Sequence, residues 1–162
     1  MITTAWKDIR LTVAIVSDTH GRLPKAVEKA LQQAQYIVHA GDIDTPEVLS
    51  RLQSIAPVSA ARGNMDRIHW SRHLGQTVAV EIGGIWFYVL HDLSHLDLDP
   101  AAAGFKVVVS GHTHRPNAKE ESGVLYINPG SCVQPRNGFK PSIALIGISE
   151  TDVAYRFIEF ET

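Results

Sequence analysis

Val107-Val108-Val109-Ser110-Gly111-His112-Thr113-His114 (VVVSGHTH) is the stretch on which the reading of this chain turns. Three successive β-branched residues fit a strand buried on both faces. The run stops at Ser110-Gly111, and two histidines follow with only Thr113 between them. If the chain stays extended here, side chains two apart point the same way and both imidazoles face one site. Imidazole is the commonest biological ligand for transition metals. The plain alternative is a polar loop in which two histidines fall together. The rest of the chain argues against it by repeating the pattern of apolar run, small residue and metal-competent side chain.

Working outward, Leu11–Val16 (LTVAIV) runs into Ser17-Asp18-Thr19-His20-Gly21, where Asp18 and His20 again sit two apart. Tyr36–Ala40 precedes Gly41-Asp42, Val58–Ala61 precedes Arg62-Gly63-Asn64-Met65-Asp66, and Ile85–Leu90 runs into His91-Asp92. Pro24 suits the first turn of a helix reaching about Gln35, with Val27, Ala30, Leu31 and Ala34 as its apolar stripe. Asp44 or Thr45 can cap a second helix through Leu52, with Pro46 just inside it. Gly83-Gly84 predicts a tight hairpin between Thr77–Ile82 and Ile85–Leu90. Asp99-Pro100-Ala101 predicts the cap and first turn of a short helix. Val124–Ile127 is a strand closed by the turn residues Asn128-Pro129-Gly130-Ser131. Ile143–Ile148 and Val153–Phe160 form a terminal hairpin, while Ile68–Gln76 carries no readable pattern.

Strands that alternate with helices early and pair as hairpins later indicate an α/β (α+β) system of mixed sheets. Ligands of open α/β sheets bind beyond the carboxyl ends of the strands, which is where the candidate donors fall. At 162 residues and 17.8 kDa the chain has room for one core, so residues 1–162 read as a single domain. A net charge of −2 offers no electrostatic reason to bind nucleic acid or an anionic membrane. The lone cysteine, Cys132, permits no intrachain disulfide and reads as structural. Met1–Arg10 has no apolar centre and Ile85–Leu90 is far short of a membrane span, so the expected location is cytoplasmic.

The donors number two Asp, one Asn and four His, too many for one tetrahedral ion. They suit two cations sharing a carboxylate. Such a pair, about 3.5–4 Å apart, can hold a hydroxide and clamp the attacking and leaving oxygens of a displacement at phosphorus. Mixed oxygen and imidazole donors fit manganese, iron, zinc, cobalt or nickel better than magnesium or calcium. Manganese is the first expectation.

The motifs SDTHG (Ser17–Gly21), GD (Gly41-Asp42), GN-x-D (Gly63–Asp66), His91, GHTH (Gly111–His114) and NPGS (Asn128–Ser131) resemble those of the calcineurin-like metallophosphoesterase superfamily. They run in family order from residue 12 to about 136, and they closely resemble the small single-domain microbial phosphodiesterase branch. The resemblance implies a four-layer α-β-β-α sandwich, two mixed sheets flanked by helices, with a dinuclear site at the strand ends. It implies that Asp18, His20 and His114 hold one ion, that Asn64, His91 and His112 hold the other, and that Asp42 bridges. Asn64, His112 and Asp42 would act in catalysis, with Asn64 and Arg62 on the substrate.

Two positions depart from the family pattern. Met65 stands where many members carry a histidine that serves the leaving group or the phosphate, and His69 or His73 could substitute for it. Asp92 stands where the family often has Gly, either orienting a ligand or tolerating the turn that Gly would adopt. Asp66 reads as a brace for the Asn64 loop, the NPGS turn as support beneath the site, His39 as structural and His95 as solvated. Arg62 and Arg136 could meet a phosphate or form surface ion pairs. The expected activity is a metal-dependent phosphodiesterase acting on small diesters at an open site, with no membrane or nucleic-acid partner and a homo-oligomer permitted. The rival is a protein-binding scaffold on the same fold, like the metallophosphoesterase-like subunit of retromer.

Overall fold

The computed structural model describes residues 6–150 and 152–162. Among these the chain forms β1 (Leu11–Val16), α1 (Lys25–Leu31), β2 (Tyr36–His39), α2 (Pro46–Gln53), β3 (Val58–Ala60), α3 (Ile68–Ser71), β4 (Thr77–Ile82), β5 (Ile85–Leu90), β6 (Val107–Val109), β7 (Pro116–Glu121), β8 (Val124–Pro129), β9 (Ser142–Ile148) and β10 (Val153–Glu159). Two five-stranded sheets result, ordered β10-β9-β1-β2-β3 and β4-β5-β6-β8-β7. In the first, β1, β2 and β3 are mutually parallel; in the second, β5, β6 and β8 are. The remaining strands pair antiparallel at the flanks, which makes both sheets mixed.

Strand alternation sorts the apolar side chains into layers. Val13 and Ile15 of β1 enter the layer between the sheets with Phe87, Val89, Val107 and Val109. Ala14 and Val16 face the other way, onto Val27 and Leu31 of α1 and Val48 and Leu52 of α2. A strand covered on both faces needs apolar residues at every position, which is why LTVAIV does not alternate. The outer face of the second sheet, with Tyr88, Leu90 and Val108, is covered by Leu96, Leu98 and Phe105. The helical layer expected there is reduced to a 3-10 turn, Leu93–His95, and apolar loop. No helix among the described residues is long and apolar enough to cross a membrane.

The Gly83-Gly84 hairpin forms as predicted, both glycines lying at positive φ (59° and 83°) as a two-residue turn requires. Two local expectations need correction, and one strand was not foreseen. The first helix stops at Leu31 because Gln35 is drawn onto β1, its backbone N–H donating to the Thr12 carbonyl and its side chain accepting from the Thr12 N–H. Asp99 accepts from the backbone N–H groups of Ala101 and Ala102 as a cap would, but the turn closes at Gly104 (φ 88°) and no helix follows. Strand β7, PNAKEE, escaped the sequence reading because it carries almost no apolar residue; it is an exposed edge strand, where Pro, Lys and Glu discourage further pairing.

Ile15 sits in the inter-sheet layer with no exposed surface. Its replacement by Ala should lower unfolding free energy by about 2–5 kcal/mol, read as a drop in urea midpoint with an unchanged slope.

Candidate metal centre

The six parallel strands end on one side of the sandwich, and the turns that follow them carry every predicted donor. Asp18 and His20 follow β1, Asp42 follows β2, and Asn64 follows β3. His91 follows β5, and His112 and His114 follow β6. The pairs two residues apart share a site for a different reason from the one expected. Asp18, His20, Asp42, His112 and His114 all lie in left-handed backbone, with φ between 46° and 73°. The turns coil rather than extend. Non-glycine residues held this way cost about 1–3 kcal/mol each, and cross-loop hydrogen bonds fix them. Asp18 N–H donates to the Gly41 carbonyl (3.0 Å), His20 N–H to that of Asp42 (3.0 Å), and Gly111 N–H to that of His91 (2.9 Å). The loops pack so closely that a Cβ on Gly63 would overlap Asp42, and one on Gly111 would overlap Ser17 and Asp18.

Asp18 lies at the middle of the cluster. Its Oδ2 accepts from the Ser17 hydroxyl (2.7 Å) and the His112 backbone N–H (3.0 Å). Its Oδ1 faces His114 Nε2 at 3.2 Å, His20 Nε2 at 3.7 Å and His91 Nε2 at 3.8 Å. Asp42 is built alike: Oδ1 accepts from the Met65 N–H (2.8 Å), while Oδ2 lies 3.2 Å from His91 Nε2 and 4.0 Å from His20 Nε2. Asp18, His20 and His114 thus form one group able to hold a cation, and Asp18, Asp42 and His91 a second. Asp18 is common to both groups, and Asp42 also reaches imidazoles of each.

Three imidazoles are oriented by what their outer nitrogens touch. His91 Nδ1 lies 2.8 Å from the Ala40 carbonyl, His114 Nδ1 2.6 Å from that of Gln134, and His20 Nδ1 3.1 Å from Asp44 Oδ2. Each acceptor fixes the proton on Nδ1 and turns the Nε2 lone pair inward. His20 Nε2 and His114 Nε2 then meet at 3.2 Å. Asp18 Oδ1 and His91 Nε2 are buried without a hydrogen bond, the latter despite its nearness to Asp42 Oδ2. Inward lone pairs beside orphaned buried oxygen and nitrogen are what a divalent cation satisfies, so these residues fit one.

Without a cation, protons partly replace it. Burial would raise Asp18, but the nearness of the His114 and His20 imidazoles, the Ser17 hydroxyl and the charge of His91 hold it far below the usual carboxylate range. The facing Asp18 carboxylate lifts His20 to about 9 against its burial, with help from Asp44. Burial works against the charged forms of Asp42 and His91 too, yet their mutual contact lowers the carboxyl and raises the imidazole.

His112 and Asn64 form the open wall of the cluster. The His112 ring packs edge-on to His91, with centroids 5.2 Å apart, and is half exposed. Asn64 and His112 together line two grooves, one of about 590 Å³ shared with Arg62 and His91, the other of about 420 Å³ shared with Met65 and Arg136. Arg62 commits one N–H to the Leu74 carbonyl (3.1 Å). Asp66 braces the loops, accepting from the N–H groups of Asp42, Ile43, Asp44 and Gly63. Asn128 donates to the Gly111 carbonyl and Ser131 to that of Asp18, so the NPGS segment supports the site, although Asn128 and Pro129 finish β8. Asp92 has φ −111°, which removes the reading of a left-handed stand-in for Gly; its Oδ2 lies 3.8 Å from His112 Nε2.

His39 is structural, bonded to Thr19 and the Gly41 N–H, and burial lowers it to about 4. Burial likewise pushes the Cys132 thiol up to about 12. Sequence reasoning missed Asp44 and Gln134 as the partners of His20 and His114. Asp44 had a competing reading as a helix cap, and a backbone carbonyl leaves no trace in residue type.

The calcineurin-like phosphoesterase superfamily domain matches this chain over residues 11–151. The chain belongs to that superfamily. Its enzymes hydrolyse phosphoester bonds and use divalent metals. A probable metallophosphoesterase of Methanothermobacter thermautotrophicus is 33% identical over 138 residues, covering 78% of this chain and 80% of its own. The structure of an archaeal phosphodiesterase superposes with a TM-score of 0.77 at 27% identity, covering 93% of this chain and all of that one. Vps29 of Entamoeba histolytica, solved with zinc, shares the fold at a TM-score of 0.74 and 20% identity, covering 93% of this chain and all of that one.

Because His20 titrates above its ordinary 6.5 in the fold, the stability it lends the metal-free protein is complete below about pH 6.5 and lost as pH rises through about 9. A cation at Nε2 competes with that proton. Calorimetric titration should therefore show divalent-metal affinity climbing with pH and levelling off above about 9. Asp44→Ala should weaken that affinity by about 10–100-fold while leaving the fold intact.

Proposed function

We propose that this chain is a metal-dependent phosphodiesterase acting on small diesters. The observation that carries the reading is the inward convergence of His20, His91 and His114 Nε2 on the orphaned Asp18 Oδ1, at an open end of the sandwich. In this reading Asp18, His20 and His114 hold one divalent cation, Asn64, His91 and His112 hold another, and Asp42 serves both, with manganese first among the candidates. When bound, the cations supply positive charge for the phosphoryl oxygens and acidify a water toward neutrality.

The chain's own residues do the rest. Asp42 keeps Oδ2 directed inward because the Met65 N–H and His91 hold the carboxylate from two sides. Asn64 and His112, on the exposed wall, place an amide and an imidazole beside the phosphoryl group, where N–H donors stabilise charge that develops in the transition state. A diester has two limbs, and the two grooves that meet at Asn64 and His112 give each a path. Among the described residues, Arg62 and Arg136 are the lysines and arginines that line these grooves, and Arg62 is partly committed to Leu74. That modest charge suits a monoanionic diester better than a dianionic monoester.

The scaffold reading has the likeness in fold to Vps29 on its side. Against it, all seven donor positions keep side chains that can ligate a metal, which docking alone does not require.

Purified protein should hydrolyse bis(4-nitrophenyl) phosphate with added manganese and lose that activity on chelation. Asp42→Asn should reduce turnover to background with an unchanged circular dichroism spectrum. Activity that survives either treatment would refute the mechanism, and a folded, metal-loaded wild type without diesterase activity would favour the scaffold.

A further inference from the structure

Cleaving an alkyl diester leaves an alkoxide, and an alkoxide departs slowly unless it takes up a proton as the P–O bond breaks. Met65, beside Asn64, has no proton to give. His69 and His73 are exposed and line neither groove at Asn64 and His112. The other titratable side chains of those grooves are also spoken for. Arginine does not release its proton, and a carboxylate accepts rather than donates once ionised. Tyr88 is buried against Phe105. His20, His91, His112 and His114 belong to the proposed metal centre. One imidazole is left: His95, which lines the same 590 Å³ groove as Asn64, His91 and His112.

His95 was expected to be merely solvated, and its side chain is indeed 80% exposed. Its backbone is nonetheless tied to the site. It ends the 3-10 turn Leu93–His95 that begins directly after His91-Asp92, and its N–H donates to the Asp92 carbonyl (3.0 Å). Asp92 Oδ1 caps the turn by accepting from the Ser94 N–H (3.0 Å) and hydroxyl (2.8 Å). Asp92 Oδ2 lies 4.0 Å from His95 Nε2 and 3.8 Å from His112 Nε2, so one carboxylate stands between the groove's free imidazole and the rim of the metal centre. The charged groups that share this groove with His95 are Asp92, Asp97, Arg62 and the imidazoles of His91 and His112.

We infer that His95 is the general acid for the leaving group of alkyl phosphodiesters whose departing limb occupies the larger groove. The inference rests on the phosphodiesterase reading above. In the step, water oxygen bonds to phosphorus and gives up one proton to solvent, and the P–O bond to the departing limb breaks, its electron pair staying on that oxygen. The proton of the His95 imidazolium moves to the same oxygen, releasing a neutral alcohol, and the neutral ring regains a proton from solvent. The products are one phosphomonoester and one alcohol. Asp92 is the positioning residue, holding the turn and facing the ring.

The test compares two diesters on manganese-loaded protein: ethyl 4-nitrophenyl phosphate, whose nitrophenolate leaves without a proton, and diethyl phosphate, whose ethoxide needs one. His95→Ala and His95→Gln should each lose about 100-fold more rate on diethyl phosphate than on the nitrophenyl ester, while His69→Ala should leave the ratio of the two rates as in wild type. In the folded wild type, the His95 ring resonances should shift when dipropylphosphinate, an anion with P–C bonds in place of both ester linkages, is added, and those of His69 should not. Equal losses on both esters, or a His95 ring indifferent to the analogue, would overturn the assignment. A wild type inactive on both esters would remove the phosphodiesterase reading itself, and the proposal with it.

Discussion

A carboxylate withdrawn from water has to be matched by charge or by hydrogen bonds, and Asp18 is matched by only half. One oxygen is satisfied by Ser17 and the His112 N–H; the other is aimed at three imidazoles and bonded to none. Everything around it follows from that imbalance. Ser131 anchors the Asp18 carbonyl, Gly111 exists so that the β6 turn can close onto the Asp18 side chain, and the loops after β1 and β2 are bonded to each other through Gly41, Asp42 and Ile43. A polar cluster arranged so that its members are left wanting is costly to the fold. It persists where something else completes it.

The strain in the backbone tells the same story from another direction. Left-handed conformations at five donor residues would be hard to explain as packing choices, because the turns could be relaxed by glycine or asparagine. Local strain concentrates at functional sites because the required side-chain directions outrank backbone comfort. Asp66 shows how this is maintained: one carboxylate gathers four backbone N–H groups from two loops, so the Asp42 and Asn64 turns cannot drift apart.

Much of this was legible in residue order. The buried strands announced themselves as unbroken β-branched runs, the hairpin as Gly83-Gly84, and the donors as polar residues stationed at strand ends. What was not legible had physical causes. The extended-chain argument for Asp18/His20 and His112/His114 reached the right neighbours by the wrong geometry, since periodicity does not disclose a positive φ. The partners that set the imidazole tautomers are backbone carbonyls at Ala40 and Gln134, and any residue can supply those. Strand β7 carries its signal in hydrogen bonds to β8 rather than in hydrophobicity. Asp99 capped a single turn that closed at Gly104, with Phe105 packed onto the sheet, and no helix followed.

The donors are divided between the two sheets: Asp18, His20, Asp42 and Asn64 hang from the first, His91, His112 and His114 from the second. The cluster therefore sits across the seam of the sandwich, at the edge of its apolar filling. A ligand that grips both sides binds only when the two halves are docked, so its binding energy becomes cohesion of the whole molecule. Such a protein acts as its own gauge of supply. If the donors hold an ion, its loss removes that cohesion, and resistance to proteases should fall with it.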